Sequence, residues 1–496
     1  MRLSPNGPPG SAFPLPAAWP RRTGRAIDHA VSARVDRDSV TALFNRVRRA
    51  TEELAAPLSA EDMLVQSMPD ASPTKWHLGH TTWFFEEFVL ARFDPAHKFH
   101  DTRWRVLFNS YYRSVGPRHP RASRGVLSRP SLEQVRAWRS SIDAQMNDLL
   151  ARADDETLSI VLLGAHHEQQ HQELILTDVK HALSCNELRP AYRPLPERLS
   201  RPVFEAALRF AEAPETPRSL APSDSPPRSR ATPDPAPRSR PRVDTPPWSF
   251  GAVDRAAPLK WTSFDQRVIV AGHDGEGFAF DNERPQHRAI VGPFEIASRL
   301  VTNAEYLRFL DDGGYQREEL WLSDGWAAAQ AQGWTSPLYW EHTEGIWKRF
   351  GFHGVAKLDL EAPVSHVSFY EADAYARWAQ ARLPTEYEWE TAVIARPIEG
   401  NFVESGLLDP AAAAPGASQL FGDTWEWTAS AYAAYPRFHP LQGALGEYNA
   451  KFMSGQMVLR GGSCLSPRDH IRPTYRNFFP PSARWQMNGV RLARDL

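Results

Sequence analysis

From Ala213 to Pro247 the chain is almost entirely proline, serine, arginine, alanine and acidic residues (PETPRSLAPSDSPPRSRATPDPAPRSRPRVDTPP within it). Such a tract has too little apolar side chain to offset the entropy of ordering its backbone. No core can be built through it, so the 496 residues must fold on either side of a linker, expected over 213–258. That leaves two halves, 37–212 and 259–496, each near the usual domain size of about 100–200 residues. Residues 1–36 are rich in Pro, Gly and Ala, lack an apolar run of signal-peptide length, and are expected to be a disordered tail.

Charge and cysteine usage narrow the partners. Lys+Arg of 57 against Asp+Glu of 59 leaves a formal charge of −2, so no global basic field recommends nucleic acid or an anionic membrane. No apolar stretch approaches about eighteen residues, and no membrane span is expected. Cys185 and Cys464 are the two cysteines, too few for a disulfide framework, which points to a reducing compartment and a cytoplasmic protein. Small molecules are the expected partners; the sequence leaves the oligomeric state open.

The first half reads as helices. Val40, Leu43, Phe44, Val47, Ala50 and Leu54 recur at helical spacing between Asp38 and Leu58, with Asp38 or Ser39 as cap. Further helices are expected at about 73–93, 131–151 and 157–183, and four such helices make a bundle. A long irregular connection containing Phe108-Asn109-Ser110-Tyr111-Tyr112 joins the second to the third, and long loops in compact domains are often functional. Past Leu259 short mixed segments, many aromatics and frequent Gly and Pro indicate a loop-rich α+β unit, with one clear helix over about 370–381.

The fourth helix carries His166-His167-Glu168-Gln169-Gln170-His171-Gln172-Glu173. His167 and His171 lie four apart, about 40° from each other on one face, which aims two imidazoles at one metal. Glu173 falls roughly 200° around the helix from His171 and should not share that metal. A third ligand must come from elsewhere, and the second helix offers His77 and His80. Residues 167–171 also fit the HExxH pattern of zinc proteases, in which the glutamate is a general base. The usual extensions fail: the position six residues after His171 is Thr177, and no helix-borne Glu follows at about twenty residues. Neutral imidazoles suit Fe(II) as well as zinc, so ligand type alone does not name the metal.

SPTKWHLGHTTWFFEEFVL, FNSYY, HHEQQHQE, GHDGEGFAFDNERPQHR, RLPTEYEWE, WEWTAS and RGGS…YRNFFPPSARWQMNGVRLA together resemble the EgtB-type ergothioneine sulfoxide synthases. The resemblance covers most of 38–496 outside the linker. It implies a multidomain α and α+β protein: a DinB-like four-helix bundle, then a C-type-lectin-like sulfatase-modifying-factor domain akin to the formylglycine-generating enzymes, with the active site between them. It implies Fe(2+) held by His80, His167 and His171, with Glu173 part of the HxxxHxE signature without being a ligand. The cysteine pair that formylglycine generation uses after RGGS is missing, since Cys464 stands alone and out of place, and RGGS and WEWTAS are read as structural.

The reaction that the resemblance implies joins hercynine, a cysteinyl thiol and O2 into a sulfoxide. It makes Tyr111 and Tyr112 the candidates for an assisting tyrosine, not separable by sequence. Gln170 and Asn477 match positions that touch the betaine-bearing substrate, and Phe478 matches an aromatic packed on its trimethylammonium group, where cation–π attraction supplies the reason. Relatives that use γ-glutamylcysteine carry an Asp and an Arg just after the RN-aromatic motif. Here Phe479 and Ala483 stand instead, which favours free cysteine and leaves its carboxylate to loop arginines such as Arg118 or Arg121. The ovothiol-type synthases, acting on histidine, share the WHLGH-like and HxxxHxE-like elements and remain the alternative, ahead of a zinc hydrolase or a metal-stabilised binding module.

Overall fold

Three of the four long helices of the first half start where a side chain satisfies free N–H groups. The computed structural model describes residues 36–194, 259–414, 416–440, 444–447 and 449–496. The tail over 1–35 and the stretch 195–258, where the end of the first half and the linker were expected, lie outside the described residues. Helix α1 (Arg37–Ala55) is capped by Asp36, whose carboxylate accepts the Ser39 N–H at 2.9 Å; the cap is therefore Asp36 and not Asp38 or Ser39. Helix α2 is Thr74–Phe85. Ser131 and Gln134 form a capping box for α3 (Leu132–Leu150), and Asp154 accepts the Thr157 N–H to start α4 (Asp155–Ser184).

The bundle closes because α4 packs on α1 and α2, and α2 on α3. Every residue of α2 is buried, so it has no polar face, and this is the central helix. It does not run as one α-helix to Phe93: Glu86–Leu90 form a π-turn before Ala91–Phe93. There the buried Glu86 accepts the His100 N–H at 2.8 Å and Glu87 holds Arg105 in a fork of 2.6 and 2.8 Å. Gly79 lets Phe108 press on α2, since a Cβ there would lie 2.1 Å from the Phe108 ring.

The second half is built from small sheets and short helices. Its strands are β1 (Trp261–Phe264), β2 (Arg267–Ala271), β3 (His287–Val291), β4 (Phe294–Ala297), β5 (Trp340–Thr343), β6 (Ile346–Gly351) and β7 (Gly354–Lys357). They continue as β8 (Gly400–Asn401), β9 (Phe421–Gly422), β10 (Trp425–Ala431), β11 (Met457–Arg460), β12 (Asn477–Phe479), β13 (Asn488–Gly489) and β14 (Ala493–Asp495). The sheets run β1-β4-β14, β12-β11-β10-β13, β5-β6-β7, and the pairs β2-β3 and β8-β9. Helices α5 (Asn303–Asp311), α6 (Ser323–Gln332), α7 (Phe369–Trp378) and α8 (Glu386–Val393) pack around them. The helix expected to reach residue 381 ends at Trp378, because Gln380 takes a left-handed φ of 53°.

The motifs of this half are internal struts. Glu426 of WEWTAS holds Arg491 at 2.7 Å and accepts the Trp389 indole N–H at 2.7 Å, while Arg460 of RGGS is shared by Glu386 and Glu390 of RLPTEYEWE, each at 3.0 Å. All are buried, and paired charges of this kind tolerate burial where single ones do not. Gly461 and Gly462 adopt φ of 99° and 79°, a turn that a Cβ would strain. The described residues up to Tyr192 and from Leu259 onward belong to one compact unit. No helix among the described residues is long and apolar enough to cross a membrane.

Candidate metal centre

His80 on α2 and His167 and His171 on α4 converge. One ring nitrogen from each lies within 4.8 Å of the others, and His80 Nε2 stands 3.3 Å from His167 Nε2. Burial disfavours the charged form of all three, taking His167 down to about 3 and the other two well below the ordinary histidine value. Three neutral imidazoles aimed at one point offer three lone pairs to a single cation, and the donor set fits a metal with further positions open.

The far sides of two of these rings are tied. The Phe108 carbonyl accepts from His80 Nδ1 at 2.6 Å, leaving Nε2 for the metal. Trp76 and Trp83 stack on His80 at centroid distances of 4.7 and 5.4 Å. Behind His171 stands His77, its Nδ1 2.8 Å from His171 Nδ1 and its Nε2 3.2 Å from Asp178 Oδ2. A carboxylate only accepts, so neutral His77 donates from Nε2 and accepts at Nδ1. His171 therefore donates from Nδ1 and keeps its Nε2 lone pair. Of the two histidines offered by α2, His80 joins the triad and His77 buttresses it.

The two glutamates of the α4 motif point elsewhere. Glu168 is fully buried and bound by Arg48 at 2.8 Å, Arg139 at 2.5 Å and Thr51 at 2.7 Å. The two guanidiniums hold its carboxyl down at about 2 against the cost of burial. So committed, it cannot serve as the general base of an HExxH hydrolase. Glu173 accepts from Trp425 Nε1 at 2.8 Å, Ser463 Oγ at 2.7 Å and Ser466 Oγ at 2.7 Å, so this side of α4 fastens to the second half.

The other residues singled out by sequence are dispersed. Tyr112 is fully buried against Trp83 and Phe88. Tyr111 instead touches the second half, with the Phe452 ring at 5.3 Å and Lys451 Nζ 4.6 Å from its ring centroid and donating to its carbonyl. Gln170 donates to Tyr475 Oη at 2.6 Å, and Tyr475 Oη meets His470 Nε2 at 3.1 Å. Asn477 Oδ1 accepts the Phe478 N–H at 2.9 Å, and Phe478 stacks on Tyr432 at 4.0 Å. Arg118 and Arg121 are exposed and donate to the loop carbonyls of Ser110 and Asp70.

Sequence reasoning missed Arg124. The residue is 4 % exposed, and its guanidinium lies 3.3 Å over the Trp76 ring and donates to Ser72 Oγ and Ser110 Oγ. Burial, with Arg121 and Arg118 nearby, draws its pKa down to about 9. Tyr475, His470 and Asp178 were missed as well. Asp178 alone had a signal, since seven residues after His171 returns to the same helix face.

Comparison with known proteins gives this arrangement relatives. Residues 43–175 match the DinB superfamily, and residues 255–414 and 409–496 match the sulfatase-modifying factor enzyme 1-like domain. Hercynine oxygenase of Mycolicibacterium thermoresistibile is 39% identical over 250 residues, 45% of this chain and 55% of that protein. Hercynine oxygenase of Mycobacterium tuberculosis is 39% identical over 255 residues, covering 46% and 59%. Ergothioneine biosynthesis protein 1 of Schizosaccharomyces pombe is 28% identical over 232 residues, covering 44% and 28%. The aligned part thus spans little more than half of the hercynine oxygenases. The chain carries a DinB superfamily helical domain followed by an α+β domain of the sulfatase-modifying factor enzyme 1-like family, and it is related to the hercynine oxygenases.

Proposed function

We propose that this protein is an iron(II)- and O2-dependent sulfoxide synthase that joins hercynine to the thiol of L-cysteine, giving hercynylcysteine sulfoxide and water. The observation that carries the reading is the convergence of His80, His167 and His171, neutral by burial, in a chain related to hercynine oxygenases. The reaction balances: the imidazole C–H and the thiol S–H are lost, one oxygen atom goes to sulfur, and the other leaves as water with the two hydrogens.

Bound through the three histidines, iron would supply the activation of O2 and a site for a soft thiolate. The chain's own residues bind and orient. The Phe108 carbonyl and the His77–Asp178 pair fix which nitrogen His80 and His171 present. Arg124, buried beside Trp76, suits the carboxylate of the thiol donor better than Arg118 or Arg121, which are exposed. A guanidinium held out of water attracts a carboxylate more strongly than a solvated one does. Gln170, oriented by Tyr475, and Asn477 serve the betaine end, with Phe478 against its methyl groups. Of the two tyrosines, Tyr111 is assigned as the proton and hydrogen-bond donor, because Tyr112 is enclosed by bundle rings.

The test is oxygen consumption by Fe(II)-loaded protein. Uptake that requires hercynine and cysteine together supports the reading, and γ-glutamylcysteine as the better thiol would correct the donor. Uptake with histidine in place of hercynine would move the protein to the ovothiol-type chemistry. Uptake that needs neither substrate pair refutes a coupled reaction.

A further inference from the structure

We propose that the Asp281 carboxylate is a specificity determinant for the cationic end of the substrate, acting with the Tyr432–Phe478 ring pair to select a quaternary ammonium group. The inference rests on reading the site as one for an imidazole betaine, and it adds a residue that neither the motif reading nor the metal geometry singled out.

Asp281 opens the single turn Asp281–Glu283. Its Oδ1 accepts from Asn449 Nδ2 at 2.7 Å, while Oδ2 is closed off from solvent and no second side chain among the described residues donates to it. Burial pushes its pKa up, the neighbouring Glu283 adds to that, and Asn449 and adjacent backbone N–H groups pull it down. Glu283, two residues on, differs: Arg472 meets it at 2.7 Å and Thr474 at 2.6 Å. A half-buried carboxylate with one oxygen closed off and unbonded, and with no ion pair among the described residues, is a costly thing to build into a fold.

The surroundings say what it complements. Asn282 donates to Tyr432 Oη at 3.0 Å and to the Arg476 carbonyl at 3.1 Å, which holds this turn against the residues just before Asn477 and Phe478. Asp281 is near enough to Tyr432 to help raise that phenol's pKa. Tyr432 stacks on Phe478 at 4.0 Å and 13°. Phe452, whose N–H donates to the Asn449 carbonyl at 3.0 Å, lies 5.9 Å from the Phe478 ring. The cations of the neighbourhood have other partners: Arg476 is held by Glu386 at 2.8 Å, and Lys451 donates to the Tyr111 carbonyl. Electron-rich ring faces beside one uncompensated carboxylate complement a cation that is bulky, apolar and unable to donate hydrogen bonds, and a trimethylammonium group is that cation. The rings read the methyl groups and Asp281 reads the charge.

The experiment is calorimetric binding to anaerobic Fe(II)-loaded protein of two probes. These are Nα-trimethylhistidine betaine and imidazole-4-propionate, which keeps the ring and carboxylate but lacks the ammonium group. Wild-type protein is expected to prefer the betaine. Asp281→Asn, close in size, is expected to lose about 10- to 100-fold in betaine affinity while binding imidazole-4-propionate as before. Asp281→Ser, which removes the group altogether, should repeat the pattern. Unchanged betaine affinity in both variants, or equal weakening of both probes, overturns the assignment of Asp281. A wild type that binds both probes equally overturns it while leaving the imidazole site standing. A wild type that binds neither overturns the reading of the site and this inference with it.

Discussion

Asp178 reaches the metal position through two imidazoles, and each contact in that chain fixes a proton. Removing the carboxylate frees His77 to turn over and present an N–H to His171. Asp178→Asn and His77→Phe are therefore expected to weaken metal binding by about 10- to 100-fold, measured by competition against a chelator, with the bundle still folded by circular dichroism; wild-type affinity in both would refute the buttress. Glu168 makes the opposite case, a residue inside the motif whose work is structural. Glu168→Gln leaves Arg48 and Arg139 buried without their shared anion and should cost about 3–5 kcal/mol in urea unfolding. A variant that kept its stability but lost all chemistry would restore the general-base reading. At this scale the histidine pair was legible because a spacing of four repeats on a helix face. Arg124 was not, because arginines spaced three apart at 118, 121 and 124 look alike until Trp76 and Ser72 bury one of them.

Helix α2 transmits packing to the centre. Gly79 admits Phe108, and the Phe108 carbonyl holds His80, so a side chain at 79 disturbs a ligand it never touches. Gly79→Ala is expected to lower stability by about 1–3 kcal/mol and to reduce metal occupancy in the folded fraction, read by thermal melting beside metal analysis; full occupancy would uncouple the two. Helix starts were largely legible, since Ser131 with Gln134 and the Asp residues near 36 and 154 are local signals. The π-turn at Glu86–Leu90 was not, because its buried glutamates depend on the distant His100 N–H and Arg105. In the same way the turn at Gln380 ended α7 before residue 381, where the sequence had placed its end.

In the whole molecule the helix that carries His167 and His171 is fastened to the second half through Glu173, with Trp425, Ser463 and Ser466 as donors. Glu173→Ala would leave those buried donors unpaired, for an expected loss of about 2–3 kcal/mol, visible as a lower urea midpoint. Acid sensitivity is also a property of the whole. His166, His366 and His470 are buried with pKa values well below the ordinary 6.5. The unfolded chain therefore takes up more protons as pH falls through 6.5, and stability present above that value is lost below it. The slope is about 1.4 kcal/mol per pH unit for each histidine. Glu168, held at about 2, adds its own loss only below its ordinary 4.5. A metal-free protein equally stable at pH 5 and pH 7.5 would contradict these burials. A helical first half and an α+β second half were legible from the helical apolar spacing of the one and the short mixed segments of the other, whereas the contacts joining them, such as Glu173 to Trp425, 252 residues apart, belong to no local pattern. The central claim is tested most directly by mass spectrometry of the products formed when anaerobic, Fe(II)-loaded protein meets air with hercynine and cysteine. Hercynylcysteine sulfoxide is expected, and is expected to be absent when His167 is replaced by Ala. Iron bound at full occupancy with no coupled product would contradict it.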